Sequence, residues 1–236
     1  MKSVIISADY AEDMQALSTV DPRSRGADML ARSPVRDDEM VMLFRALQAT
    51  MPQKSHWTLG IISTLPGEGV SSIARGLART VARTPNAKVL ICDVASDPRS
   101  RPAEVRPFTR ASVDAGAGRI EFTWLPGSQI AVGSFGEPGA MHQIAADLDS
   151  FHSMVSTVSA GFELVILDLP PVSESVIGPS LAKALDGVVL VVEAERTRTQ
   201  AVRATQKTIE MYGGNVLGVV LNKRRFHIPN FIYRRL

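Results

Sequence analysis

Residues 57–82 read WTLGIISTLPGEGVSSIARGLARTVA: an apolar run, a turn with two glycines two residues apart, then Ile73, Leu77 and Val81 spaced by four. The run predicts a buried strand over Trp57–Ser63, and the spacing predicts a helix over Val70–Ala82. A strand that enters a helix through such a turn presents backbone N–H groups at the helix start, an arrangement that binds phosphate. Gly67, Glu68, Gly69, Val70, Ser71 and Ser72 are therefore the candidate cofactor-binding segment. The strict phosphate-loop pattern places a lysine after its last glycine and a further glycine five residues before it. Here those positions hold Val70 and Thr64. A charge-assisted hydrogen bond is worth about 1.5–3 kcal/mol, roughly one to two decades in affinity, and a transferring phosphoryl group would lose more. Val70 is apolar and β-branched, so it is expected to turn toward the core. Neither Lys54 nor Lys88 stands where it would replace the missing charge, and Arg75, within the helix, is expected to point elsewhere.

The rest of the chain repeats the theme. Val89–Cys92 and Leu164–Leu167 are solid apolar runs that end in Asp93 and Asp168, and Val188–Val192 and Val216–Leu221 are two more. Ile120–Leu125 is a further candidate strand, and Met1–Ala8 another. Helices are expected over 140–158, 179–185 and 198–212, and over a stretch from Asp37 in which Met40, Leu43, Phe44, Leu47 and Met51 share a face. Apolar strands separated by helices predict an α/β fold, three-layered, with a mostly parallel central sheet covered on both faces. Residues 94–118 read as irregular. Residues 1–36 are expected to be a mobile or loosely docked arm, 37–221 the α/β domain with its preceding helix, and 222–236 a basic aromatic tail.

A length of 236 residues suits one sizeable core. No apolar run reaches the roughly 18 residues of a membrane span, and no secretory signal is read at the N-terminus. A single cysteine, Cys92, excludes an intrachain disulfide framework and fits a reducing compartment. Four histidines without a second cysteine form no zinc pattern.

Ligands of open α/β sheets bind outside the carboxyl ends of the strands. Asp93 and Asp168 are therefore the candidate catalytic carboxylates, one to orient water or a hydroxyl and the other to hold magnesium with Ser71. The alternative is that each caps a nearby turn. Charge is uneven: the chain carries +2 overall, but the last 15 residues hold five bases and no acid, leaving 21 bases against 24 acids, or −3, over residues 1–221. Phe226, Ile228, Phe231, Ile232 and Leu236 alternate with arginines in that tail. Such a strip either docks on a protein groove or an anionic membrane surface, or covers the domain's own core. Nucleic acid is not favoured, because the basic excess is confined to the tail. Arg99, Arg101, Arg106 and Arg110 form a second basic region, which as a charge run is more often a solvated face.

Four segments, FRAL at 44–47, STLPGEGVSS at 63–72, VLICDVASDPRSRP at 89–102 and FELVILDLPPV at 162–172, make the chain resemble the cytoplasmic domain of bacterial tyrosine autokinases of the CpsD/Wzc type, which serve capsule and exopolysaccharide export. The resemblance implies a P-loop fold of the MinD/ParA class, Mg-ATP or Mg-ADP as ligand, a polysaccharide chain-length regulator of the inner membrane as partner, homo-oligomer formation and phosphorylation of C-terminal tyrosines. It places the Walker A lysine at Val70, the Walker A hydroxyl at Ser71 and the Walker B aspartate at Asp168. Of two family aspartates two residues apart, Asp93 matches the first and Ala95 stands at the second. The family's ring-forming helix carries Glu, Arg and Arg at intervals of three; here these are Met42, Arg45 and Gln48. Only Tyr233 remains of the tyrosine cluster. Arg45, Gln48, Arg224, Arg225, Phe231 and Tyr233 are the candidate partner-binding residues. The expectation is a catalytically impaired relative acting as a cytoplasmic adaptor or regulator, held at the inner membrane through a protein partner. A working kinase with an unusual loop and a MinD/ParA-like positioning ATPase are the alternatives.

Overall fold

The computed structural model describes residues 3–5, 36–94, 110–115, 118–135 and 147–224. In chain order the elements are β1 (Ser3–Ile5), α1 (Asp37–Gln48), β2 (Trp57–Ser63), α2 (Val70–Val81), β3 (Val89–Asp93), β4 (Arg110–Ala115), β5 (Gly118–Trp124), β6 (Ile130–Phe135), α3 (Leu148–Ser159), β7 (Leu164–Asp168), α4 (Ile177–Leu181), β8 (Gly187–Glu193), α5 (Thr199–Met211) and β9 (Val216–Asn222). A short 3-10 turn, Ala182–Ala184, extends α4. The strands form one nine-stranded sheet in the order β1-β9-β8-β2-β7-β3-β6-β5-β4. Pairing is parallel from β1 through β6 and antiparallel at β6-β5 and β5-β4.

The mostly parallel α/β expectation holds, and β2, β3 and β7 lie within a residue of their expected bounds. The apolar face of each helix explains why. On one side of the sheet, α1 and α2 bury Met40, Leu43, Leu47, Ile73, Leu77 and Val81 against Leu59, Ile61, Ile91 and Val189. On the other, α3 lays Phe151, Met154, Val155 and Val158 against Ile62, Leu90, Val165 and Leu190. Central strands such as β7, buried at every residue, are therefore apolar up to their last position, Asp168. Phe162 stacks on Trp124 with centroids 5.5 Å apart and meets Phe122 edge-on at 5.4 Å, closing the antiparallel end of that core.

Several boundaries differ from expectation. Arg110–Ala115, read as irregular, pairs with β5, and Ile130–Phe135 is an unanticipated strand. The strand expected within Met1–Ala8 is observed as Ser3–Ile5, which pairs with Val219–Leu221 of β9; residues 6–35 lie outside the described residues. The helix expected over 140–158 is described from Leu148, where Asp147 caps it by accepting from the Ser150 N–H at 3.1 Å; 140–146 lie outside.

At the end of the sheet opposite the glycine loop, Asp186 fastens β8 to the start of β2. Its Oδ2 accepts from the Thr58 N–H at 2.8 Å and hydroxyl at 2.9 Å, and Lys54 Nζ lies 2.6 Å from Oδ1. Asp186→Ala strands those donors, and a loss of about 2–3 kcal/mol is expected, read as a melting temperature about 5–10 °C lower.

Candidate functional site

Parallel pairing brings the strand ends to one edge. Asp93 and Asp168 are register partners on β3 and β7, and Ile61 of β2 faces Asp168 from the other side. Glu193 and Asn222, register partners at the ends of β8 and β9, lie along the same edge. The glycine loop, residues 64–69, leaves β2 in the middle of this row.

The loop's shape follows from its two glycines. Gly67 has φ +79° and Gly69 φ +101°, values that L side chains rarely adopt. A Cβ at Gly67 would also come within 3.8 Å of the Arg196 guanidinium. Gly69 is the N-cap of α2 with no side-chain capping bond, which leaves the helix start to other partners. The side chain of Glu68, within the candidate cofactor-binding segment, is engaged inside the protein. It is fully buried. Its carboxylate accepts from the Leu65 N–H at 2.8 Å, the Glu193 N–H at 3.0 Å and the Thr197 hydroxyl. That side chain holds the loop to the β8–α5 connection.

Three donors grip the loop's carbonyls. Arg196 Nη1 donates to Pro66 O at 3.1 Å, Lys223 Nζ to Gly67 O at 2.6 Å, and Asn222 Nδ2 to Glu68 O at 2.8 Å. Glu193 Oε2 bridges the two cations, at 2.9 Å from Arg196 and 3.2 Å from Lys223. Desolvation pulls the Glu193 carboxyl up, but hydrogen bonds from Arg196 and Lys223 and their charges outweigh it and leave it below the usual carboxylate range. Sequence reasoning missed this set. Its only local signal was a polar residue closing each of two apolar strands.

Ser71 hydrogen-bonds the Asp168 carboxylate, as the pairing of loop hydroxyl and strand-end acid requires. Burial pushes the Asp168 carboxyl up to about 6; the Ser71 bond opposes this, the Asp93 charge adds to it and the Arg75 charge opposes it. Arg75 was expected to point elsewhere; its charge acts on Asp168. Ser71 and Arg75 are four apart on α2 and so share a face. Val70 is only 9% exposed and belongs to the core under α2, as its apolar side chain suggests. Lys54 is at the far end of the sheet, on Asp186.

Among the described residues no cluster of three or more His, Cys, Asp or Glu could hold a metal. Two strand-end carboxylates and a serine do suit magnesium, which takes few protein ligands and completes its shell with water and phosphate oxygens. Ser71 and Asp168 could hold such an ion, with the loop N–H groups and Ser72 left to phosphate. Thr64 Oγ1 and Asn222 Oδ1, both buried, have no partner among the described residues, and both flank the loop.

Of the candidate partner-binding residues, Arg45 and Gln48 are exposed on α1 beside Met42, which is 64% exposed, so the three share an outward stripe. Arg224 is exposed just beyond β9. Arg225, Phe231 and Tyr233 lie outside the described residues, as do Arg99, Arg101 and Arg106. Among the described residues no helix is long and apolar enough to cross a membrane.

No family model matches the chain. Over 73 residues it is 34% identical to tyrosine-protein kinase CpsD of Streptococcus agalactiae, 31% of this chain and 32% of that protein. Over 177 residues it is 28% identical to succinoglycan biosynthesis transport protein ExoP of Rhizobium meliloti, 70% of this chain and 22% of that protein. The matches thus span about a third or less of these relatives' lengths. The kinase domain of the Escherichia coli tyrosine kinase ETK superposes with a TM-score of 0.69 at 16% identity, covering 97% of this chain and 94% of that one, a likeness of fold. The chain has a P-loop NTPase-like architecture and is related in sequence and in fold to the bacterial tyrosine-autokinase domains.

Proposed function

We propose that the protein is a catalytically impaired tyrosine-autokinase-like domain that regulates exopolysaccharide or capsule synthesis by binding a protein of the export machinery, in the first place a chain-length regulator of the inner membrane. It would work at the cytoplasmic face, recruited through that partner. The observation that carries the reading is Val70. The position that supplies the phosphate-binding lysine elsewhere holds an apolar side chain, and that side chain packs into the core under α2. The retained pair of Ser71 and Asp168 supports a site that still accepts Mg-ATP or Mg-ADP. Bound magnesium would supply positive charge between the phosphates and Asp168. Without a lysine, the loop lacks the cation that would follow charge onto a transferring phosphoryl group.

The stripe of Met42, Arg45 and Gln48 suits a partner surface, because an exposed methionine beside an arginine offers both apolar area and charge. The tail from Arg224 is a second contact, to the partner or to anionic lipid.

Purified protein with Mg-ATP is expected to give phosphate release and phosphotyrosine at the level of a blank, while retaining the partner's cytoplasmic segments in a pull-down. Magnesium-dependent phosphotransfer abolished by Asp168→Ala would sink the impaired-kinase reading in favour of a working kinase. Equal retention by a core-disrupted chain would sink the adaptor reading.

A further inference from the structure

The three donors that grip the glycine loop all arrive from outside it, and two of them are cations. In a trans peptide the C=O of one residue and the N–H of the next point in opposite directions. Fixing the carbonyls of Pro66, Gly67 and Glu68 on the side of Arg196, Lys223 and Asn222 therefore turns the N–H groups of Gly67, Glu68 and Gly69 toward the other side. The left-handed glycines on either side of Glu68 give the alternation that a concave anion nest needs. A cation on a carbonyl oxygen also polarises its peptide, so that the N–H across the same plane becomes a stronger donor.

We propose that Arg196 and Lys223 are positioning residues for the terminal phosphates of a nucleoside di- or triphosphate. They act through the peptides of Pro66–Gly67 and Gly67–Glu68, and replace from behind the loop part of the charge that position 70 lacks. The proposal rests on reading residues 64–72 as a phosphate loop, and it names what makes that loop competent. Glu193 tunes the pair: its carboxylate spaces the two cations and keeps each on its own carbonyl instead of on solvent. Arg196 is 46% exposed and Lys223 26%, so neither is a core residue whose loss would unfold the domain.

The test is calorimetric titration of the whole chain with Mg-ADP, comparing wild type with Arg196→Met, Lys223→Met, Arg196→Lys and Lys223→Arg, with thermal melting as a control of folding. Wild type is expected to bind. Each methionine variant is expected to bind about tenfold or more weakly, the size of a lost charge-assisted contact. The conservative variants should recover most of that loss, with melting temperatures close to wild type throughout. Three results would overturn the proposal: no binding by wild type up to millimolar Mg-ADP, undiminished binding by the methionine variants, or equal losses in methionine and conservative variants. Phosphotransfer by wild type would defeat the impaired-kinase reading and leave this one standing.

Discussion

Glu68→Ala is expected to lower stability by about 3–5 kcal/mol, the range for removing one member of a buried, hydrogen-bonded charged set. In a chain of this size the melting temperature should fall by about 10 °C. The side chain is fully buried, and three donors converge on it: the N–H groups of Leu65 and Glu193 and the hydroxyl of Thr197. Alanine leaves all three without an acceptor and opens a void the size of a carboxymethyl group, which the loop cannot close because Gly67 and Asn222 are already fixed. Glu68→Gln should fall between wild type and alanine. Its carbonyl can serve the Glu193 N–H and the Thr197 hydroxyl, which share one oxygen of Glu68, but its amide then faces the Leu65 N–H as a donor itself. Thermal melting of the three proteins at neutral pH checks the order. An unchanged melting temperature in Glu68→Ala would mean that the loop is held from outside alone, by Arg196, Lys223 and Asn222.

The same residue shows how far the sequence could be read. Between Ser63 and Ser72 the information is local: an apolar strand, a glycine turn and an amphipathic helix each leave a pattern within a dozen residues, and their bounds are observed within a residue. Which way Glu68 faces is not local. Two of the three donors to its carboxylate lie 125 and 129 residues away, brought in because β8 is the sheet neighbour of β2. Asn222 and Lys223 arrive from 154 and 156 residues away through β9, one strand further out. The expected strands stopped at Val192 and Leu221, one residue short of Glu193 and Asn222, because an apolar run ends where the first polar side chain begins. That polar residue is the one at the edge where the glycine loop leaves the sheet.

The antiparallel extension was hidden for another reason. Arg110–Ala115 reads RASVDA, with no apolar run, and forms a strand through pairing with β5. Ile130–Phe135 carries Gly133, whose added Cβ would sit 3.0 Å from Glu121 O; the glycine that interrupts the pattern is what lets β5 approach. Val70 was legible in the other direction, since a β-branched apolar residue at a helix start has little to gain from solvent, and it is found in the core.

Asp168→Asn is expected to stabilise the protein at neutral pH and to do nothing for it in acid. The folded carboxyl titrates at about 6, above its ordinary 3.8, because burial disfavours the charge. A raised carboxylate pKa means that the folded state holds its proton more tightly than the unfolded chain. Stability from this group is therefore complete below about pH 4 and is lost as the pH rises toward 6. The shift amounts to about 3 kcal/mol of penalty on the ionised group at pH 7. Asparagine cannot ionise, and its carbonyl can still accept from Ser71, so the penalty goes without stranding the hydroxyl. Denaturant melts of both proteins should differ by about 3 kcal/mol at pH 7.5 and converge near pH 4. A difference constant across that range would mean that the gain comes from packing and not from the proton. Magnesium gives the argument its functional side. An ion bound by Ser71 and Asp168 favours the ionised carboxylate, so adding it should narrow the gap at pH 7.5 from the wild-type side only. If Ser71 and Asp168 hold magnesium, as proposed, the cost of burying this acid is what keeps a place for positive charge, and removing the acid exchanges that place for stability.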